Sequence, residues 1–271
     1  MKYKIIAIDM DGTLLDNNQL ISDENIEALH AAKNNGYKIV FATGRVLESA
    51  MAYSAAINLD NDYVCCMGAI MQYSNIIKKH AMNKDLIIKY ADLCQAHGAY
   101  YGIVTDDNIY YFNNDQFYYN YYSDNKMIMY KNILSKSTFS DIREIENKLE
   151  SSSVLKMELY ETGNDVLSKI WPKLDHDLMS IVRANYLCIE IVSPYANKGS
   201  GVSLIANHYG LGCEEIIAIG DSDNDIPMFE ISGLSVSMEN SPDDIKSITH
   251  CTTDSNDNAG VAKILKKLKI I

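Results

Sequence analysis

Asp9 and Asp11 flank a single methionine at the end of an apolar run, KIIAIDMDGT, and two carboxylates this close could carry out phosphoryl transfer. A carboxylate at a buried strand end is costly unless something pairs with it. One aspartate can attack phosphorus and form an acyl phosphate. A second, two residues on, can protonate the leaving oxygen and later activate water. Three further segments carry groups suited to the same reaction: Thr43-Gly44-Arg45, Asn197-Lys198-Gly199 and Gly220-Asp221-Ser222-Asp223-Asn224-Asp225. Thr43 offers hydroxyl and backbone donors to phosphoryl oxygens, Gly44 a backbone N–H, and Lys198 a charge. Asp9, Asp11 and Asp221 converging on one point would repel one another, and a hard cation such as Mg²⁺ would relieve that.

Each segment has an ordinary explanation when taken alone. The DxDGT stretch could be an Asp-Gly turn, Thr-Gly ends many strands, and Lys-Gly carries almost no information. The GDSDND stretch could be a solvated acidic loop. Their order makes them more specific together, because each falls beyond a strand's carboxyl end, where open α/β sheets place ligands. The order also separates the chain from receiver domains of two-component systems. Those put the acceptor aspartate on a later strand and run to about half this length.

The elements that must hold these residues alternate. KIIAID reads as a strand buried on both faces, followed by a helix that Ser22 caps and Gly36 ends. YKIVFAT, the helix RVLESAMAYSAAI and the strand YVCCM follow. After a long interval come a helix at 200–209, the strand EIIAIGD, the helix IPMFEIS, the strand LSVSM and the closing helix GVAKILKKLK. This order predicts a doubly wound, mostly parallel, Rossmann-like α/β sheet with right-handed crossovers. The interval differs in texture, with tyrosine-rich or alternating strands (AYYGIVT, NIYYF, VLKMELY, LCIEIVS) and helices near 84–97, 141–149 and 163–178. It predicts an inserted α+β cap domain at 83–190, leaving 1–82 and 191–271 as the core. The tract FYYNYYS at 117–123 is expected to serve packing.

Composition narrows the partners. The chain has 271 residues, 47% of them hydrophobic, and a formal net charge of −12. That charge argues against nucleic acid, whose binding relies on Lys and Arg at phosphates. No apolar run is long enough to cross a membrane and no signal segment precedes Asp9, so a cytoplasmic protein is expected. The six cysteines fit no zinc spacing and are expected to be reduced, Cys65 and Cys66 pointing to opposite faces of a strand. Nothing in the sequence sets the oligomeric state.

The four segments resemble the four motifs of the haloacid dehalogenase superfamily of phosphatases, and the chain is similar to its Cof-like, type IIB branch nearly end to end. The resemblance implies that Asp9 is the nucleophile and Asp11 the acid/base. It implies phosphate contacts from the Met10 backbone N–H, Thr43, Gly44, Lys198 and Asn224. Mg²⁺ would be held by Asp9, Asp221 and the backbone carbonyl of Asp11, with Asp225 in support. The long Thr43-to-Lys198 interval matches the branch whose cap lies between the second and third motifs. One departure is Met67-Gly68-Ala69, where the family often has Asn-Gly-Ala. The implied activity is hydrolysis of a small phosphorylated metabolite, a sugar phosphate or a nucleotide- or cofactor-like phosphate, through an aspartyl-phosphate. A phosphomutase and a non-catalytic phosphate-binding module are the alternatives.

Overall fold

The computed structural model describes residues 2–113, 135–163, 165–185 and 187–271, and the tract at 117–123 lies outside them. The chain forms two compact units, Met1–Lys78 with Asn197–Ile271, and Lys79–Ala196. One division falls at the last residue of the strand Ile76–Lys79 and the other just before the helix that starts at Lys198, while Glu190 lies inside the strand Cys188–Val192.

The N-terminal segment supplies β1 (Ile5–Ile8), β2 (Lys38–Ala42), β3 (Asp62–Cys65), β4 (Ile70–Tyr73) and β5 (Ile76–Lys79). The inserted segment gives β6 (Tyr100–Thr105), β7 (Asn108–Phe112), β8 (Ser135–Phe139), β9 (Val154–Tyr160), β10 (Ser180–Asn185) and β11 (Cys188–Val192). The C-terminal segment adds β12 (Ile216–Gly220), β13 (Leu234–Ser237) and β14 (Cys251–Thr252). The helices are α1 (Asp23–Asn34), α2 (Leu47–Ala56), α3 (Lys84–His97), α4 (Glu146–Ser151) and α5 (Val166–Ile170), then α6 (Lys198–His208), α7 (Ile226–Ile231), α8 (Asp243–Ile248) and α9 (Gly260–Lys267).

The first unit is built on an 8-stranded sheet in the order β14-β13-β12-β1-β2-β3-β4-β5. From β14 to β3 every pairing is parallel, and β4 turns back antiparallel on β3. β1 lies between β12 and β2, with Ile8 opposite Ile219 on one side and Phe41 on the other. The chain leaves β1 toward β2 and returns through β12, so the order reverses between β1 and β12. Crevices open at such points beyond the strand ends. The apolar runs of β1 and β12 are buried throughout, as strands covered on both faces should be.

The second unit carries a 6-stranded sheet in the order β10-β11-β9-β6-β7-β8. Its pairings are antiparallel except β7 with β8. Met157, Leu159, Ile103 and Ile189 pack with Ile87 and Tyr90 of α3 and Leu167 of α5 in one apolar core. The expected doubly wound core with an α+β second unit is the architecture found.

Three local expectations differ. The helix expected over 163–178 is confined to α5, followed by a single 3₁₀ turn at Trp171–Lys173. Pro172 is the reason, since its ring has no N–H to donate and clashes with the preceding turn. The helix expected at 141–149 is a 3₁₀ turn, Ile142–Glu144, running into α4. The strand YVCCM stops at Cys65; Cys66 and Met67 take φ of 48° and 57°, so the two cysteines do not alternate along one strand. Both are nevertheless buried and unbridged. Among the described residues, no helix is long and apolar enough to cross a membrane.

Candidate active site

Asp9 follows β1 directly, and its N–H donates to the Ile219 carbonyl of β12 at 2.9 Å. The backbone is thus still held to the sheet at the point where the carboxylate emerges, and Asp9 is buried. The Met10 carbonyl then accepts from the N–H groups of Thr13, Leu14 and Leu15, closing a tight loop. Gly12 in that loop has φ +78°, and a Cβ there would stand 2.5 Å from Asp221 Oδ2. Thr13 Oγ1 donates to Asp221 Oδ1 at 2.9 Å. The loops after β1 and β12 therefore interlock through glycine, threonine and aspartate.

Lys198 is the first residue of α6. Asn197 caps that helix, its Oδ1 accepting from the Ser200 N–H at 2.7 Å. A Cβ on Gly199 would overlap the Pro227 carbonyl, so only glycine lets α6 come this close to α7. The Lys198 side chain is wholly enclosed, and Nζ donates to Asp9 Oδ1 and Asp225 Oδ1, both at 2.6 Å. The other oxygen of Asp225 accepts from the N–H groups of Asp221 and Ser222 at 2.8 and 3.1 Å. Asn224, on the same loop, accepts from Ser222 Oγ at 3.3 Å.

Thr43, itself buried, directly follows β2, its N–H bonded to the Val64 carbonyl. Its hydroxyl accepts from the Arg45 N–H at 3.1 Å across Gly44, and its carbonyl accepts from the Met67 N–H at 3.1 Å. Met67 thus makes this backbone contact in the left-handed region, which an asparagine would enter more readily.

Oxygens of Asp9, Asp221 and Asp225 lie within 4.8 Å of one another. Three carboxylates, two buried and one half-buried, against one lysine leave an excess of negative charge. Burial lifts Asp9 well above the usual aspartate range; Lys198 opposes this, while Asp225, Asp221 and Asp11 add to it. Burial, followed by the charge of Asp225, raises Asp221 to about 6. Burial works against the charge on Lys198, but Asp225 and Asp9 outweigh it and raise its pKa. This donor set fits a hard divalent cation bound through oxygen. Asp225 spends both oxygens on Lys198 and two backbone N–H groups, which leaves Asp9 and Asp221 as the carboxylates that could hold it.

The carboxylate of Asp11 stands apart from this cluster, half-exposed and paired with Arg45. Arg45 is a residue to which the sequence assigned no role, although it directly follows Thr43-Gly44. Asn240 and Asn256 also went unassigned. Asn240 Nδ2 donates to the Gly12 carbonyl at 2.8 Å, and buried Asn256 donates to the Leu15 carbonyl at 3.0 Å. They pin the loop after β1 from the far side, and nothing in their sequence context marks them.

The chain matches the family of haloacid dehalogenase-like hydrolases over residues 6–265. It belongs to that family. YxeH of Bacillus subtilis is 30% identical over 271 residues, 98% of each chain. The 5-amino-6-(5-phospho-D-ribitylamino)uracil phosphatase YitU of Bacillus subtilis is 28% identical, over 98% of this chain and 97% of its own. Among solved structures, the subclass IIB sugar phosphatase BT4131 superposes with a TM-score of 0.85 at 26% identity, covering 99% of this chain and 100% of that one. The expectation of a haloacid dehalogenase phosphatase of the type IIB branch is met.

Proposed function

We propose that this haloacid dehalogenase-like hydrolase is a Mg²⁺-dependent phosphomonoesterase that passes the phosphoryl group through Asp9. The observation carrying this reading is the buried cluster in which Lys198 joins Asp9 to Asp225 beside Asp221, at the switch point between β1 and β12. Asp9 is the nucleophile, its backbone fixed to the sheet and its Oδ1 held by Lys198, so the carboxylate is oriented without a mobile loop. Lys198, the Thr43 hydroxyl and backbone N–H groups at Met10 and Gly44 bind the phosphoryl oxygens, with Asn224 at the rim. Mg²⁺ would be held by Asp9, Asp221 and the Asp11 carbonyl, and when bound it offsets the charge of the carboxylates and of the phosphate. Asp225 positions Lys198 and the loop that carries Asp221.

Asp11 transfers protons, first to the leaving oxygen and then from the water that hydrolyses phospho-Asp9. The substrate class is a small phosphorylated polyhydroxy metabolite. That description covers both the ribityl phosphate in YitU's name and the sugar phosphates implied by that of BT4131. Phosphate release from p-nitrophenyl phosphate with and without Mg²⁺ tests the chemistry, and a phosphometabolite panel tests the substrate class. An inert wild type, or full activity in Asp9→Asn, would sink the mechanism.

A further inference from the structure

Asp11 is held by one side chain, and that side chain is itself fixed from several directions. Arg45 Nε donates to Asp11 Oδ2 at 2.7 Å and Nη2 to Asp11 Oδ1 at 2.5 Å, so the guanidinium fork holds both carboxylate oxygens. Nη2 also reaches Gln19 Oε1, and Nη1 donates to Ser49 Oγ at 3.4 Å. The guanidinium lies 5.2 Å from the ring centre of Tyr53, whose hydroxyl donates to the Gln19 carbonyl at 3.1 Å. The Arg45 side chain is only 11% exposed, whereas that of Asp11 is 48% exposed. The buried partner is thus the anchor and the exposed one is what it anchors. A surface carboxylate without such a fork would sample several rotamers.

The place where Asp11 is held matters for an in-line reaction. Nucleophile and leaving oxygen stand on opposite sides of phosphorus. An acid serving the leaving oxygen must therefore stand outward of the nucleophile, not beside it. Asp11 does so, outside the cluster of buried Asp9 and Asp225 with half-buried Asp221. We propose that Arg45 is a positioning residue that fixes the Asp11 carboxylate on the leaving-group side of the site; this rests on the proton-transfer role given to Asp11 above. Its guanidinium contacts run to Asp11, Gln19, Ser49 and Tyr53, so its effect is expected through Asp11.

The test compares two monoesters on the same preparations of wild type, Arg45→Lys and Arg45→Gln. One is p-nitrophenyl phosphate, whose phenolate leaves with little need of a proton, and the other is glycerol 2-phosphate, whose alkoxide cannot leave without one. The readout is the ratio of kcat/KM for the two, from which any loss of folded enzyme cancels. Both variants are expected to lose at least about tenfold more on the alkyl ester than on the aryl one, because a lysine cannot grip both oxygens. In an Asp11→Asn background, Arg45→Gln is expected to leave the ratio where Asp11→Asn put it. Equal losses on both esters, a wild-type ratio in Arg45→Lys, or a further shift in the double variant would overturn the proposal. A wild type that hydrolyses neither ester would overturn the hydrolase reading, and this inference with it. An active wild type with an unmoved ratio removes only the role of Arg45.

Discussion

Lys198 Nζ and Asp225 Oδ1 lie 2.6 Å apart with neither side chain reaching solvent. A pair so enclosed is bound to its setting, because removing one partner strands the other's charge in a dry site. Lys198→Met is expected to abolish turnover and to destabilise the protein by about 3–5 kcal/mol, the usual cost of leaving a buried charge uncompensated. Adding Asp225→Asn should recover part of that loss. Urea unfolding of the two variants at neutral pH checks both statements, and equal stability of single and double variants would refute the coupling.

The carboxylate excess makes the cation-free protein sensitive to pH in an unusual direction. Unfolded, Asp221 ionises near about 3.9; folded without a cation, it keeps its proton up to about 6. The folded state binds more protons across that window, so this group's contribution to stability falls as pH rises through it. Asp9, raised by burial despite Lys198, acts in the same sense. Melting curves in EDTA should therefore lose ground between pH 4 and about 6, and Asp221→Asn should flatten that loss. Millimolar Mg²⁺ at pH 7 should raise the wild-type midpoint and leave that of Asp221→Asn nearly unmoved.

Gly12 joins the two acidic loops, and its replacement has a definite cost. Its φ of +78° is strained for any L side chain, and the added Cβ would press on Asp221. Gly12→Ala is expected to cost about 1–3 kcal/mol in backbone strain, with most activity lost because Asp221 must shift. Thermal unfolding and kcat on p-nitrophenyl phosphate report the two effects separately. An alanine variant with wild-type kcat would show that Asp221 has room to move.

The first unit was legible because its strands are near-continuous apolar runs that end in polar residues of fixed type. KIIAID and EIIAIGD could only be buried parallel strands, and the motif residues at their ends had nowhere to go but the crevice between them. Residues that act through a neighbour were not legible. Arg45 finds Asp11 across the sheet crevice, and Asn240 finds Gly12 from the opposite end of the chain, contacts that no local period encodes. The second unit was read at the level of class. Its helices were over-extended where Pro172 breaks the pattern, and β8 and β10 were missed because SKSTF and SIVRAN have too little apolar alternation to announce a strand.

Glu161 supports α5 in a way that acid should undo. Its carboxylate accepts from the N–H groups of Gly163, Val166 and Leu167 at 2.9, 3.0 and 3.1 Å. Burial is the largest single influence and opposes the charge, yet the N–H groups together outweigh it and pull the pKa below the usual glutamate value. With a lowered folded pKa, the stabilisation is present above the ordinary glutamate range and disappears as pH falls through the folded value. Glu161→Gln should therefore destabilise the protein near neutrality and match wild type in strong acid. A deficit that persists unchanged at low pH would point to shape rather than charge.

The face of β9 opposite Met157 and Leu159 carries a buried charge cluster in place of an apolar layer. Lys156 Nζ lies 2.6 Å from Glu158 Oε1 and 2.7 Å from Glu190 Oε1, and Tyr160 donates to Glu158 Oε2 at 2.6 Å. Glu158 and Glu190 sit directly opposite each other on β9 and β11. Cross-strand like charges repel, so the lysine between them decides the sign of the arrangement. Lys156→Met should cost about 3–5 kcal/mol, since two carboxylates would then face each other with little solvent. Glu158→Gln added to Lys156→Met removes one of the two charges and should restore a substantial part. Glu190→Gln alone should cost less, because Glu158 still pairs with Lys156. Denaturant midpoints for the three variants order these effects, and a double variant no more stable than Lys156→Met would show that Lys156 contributes by packing its stem rather than by its charge.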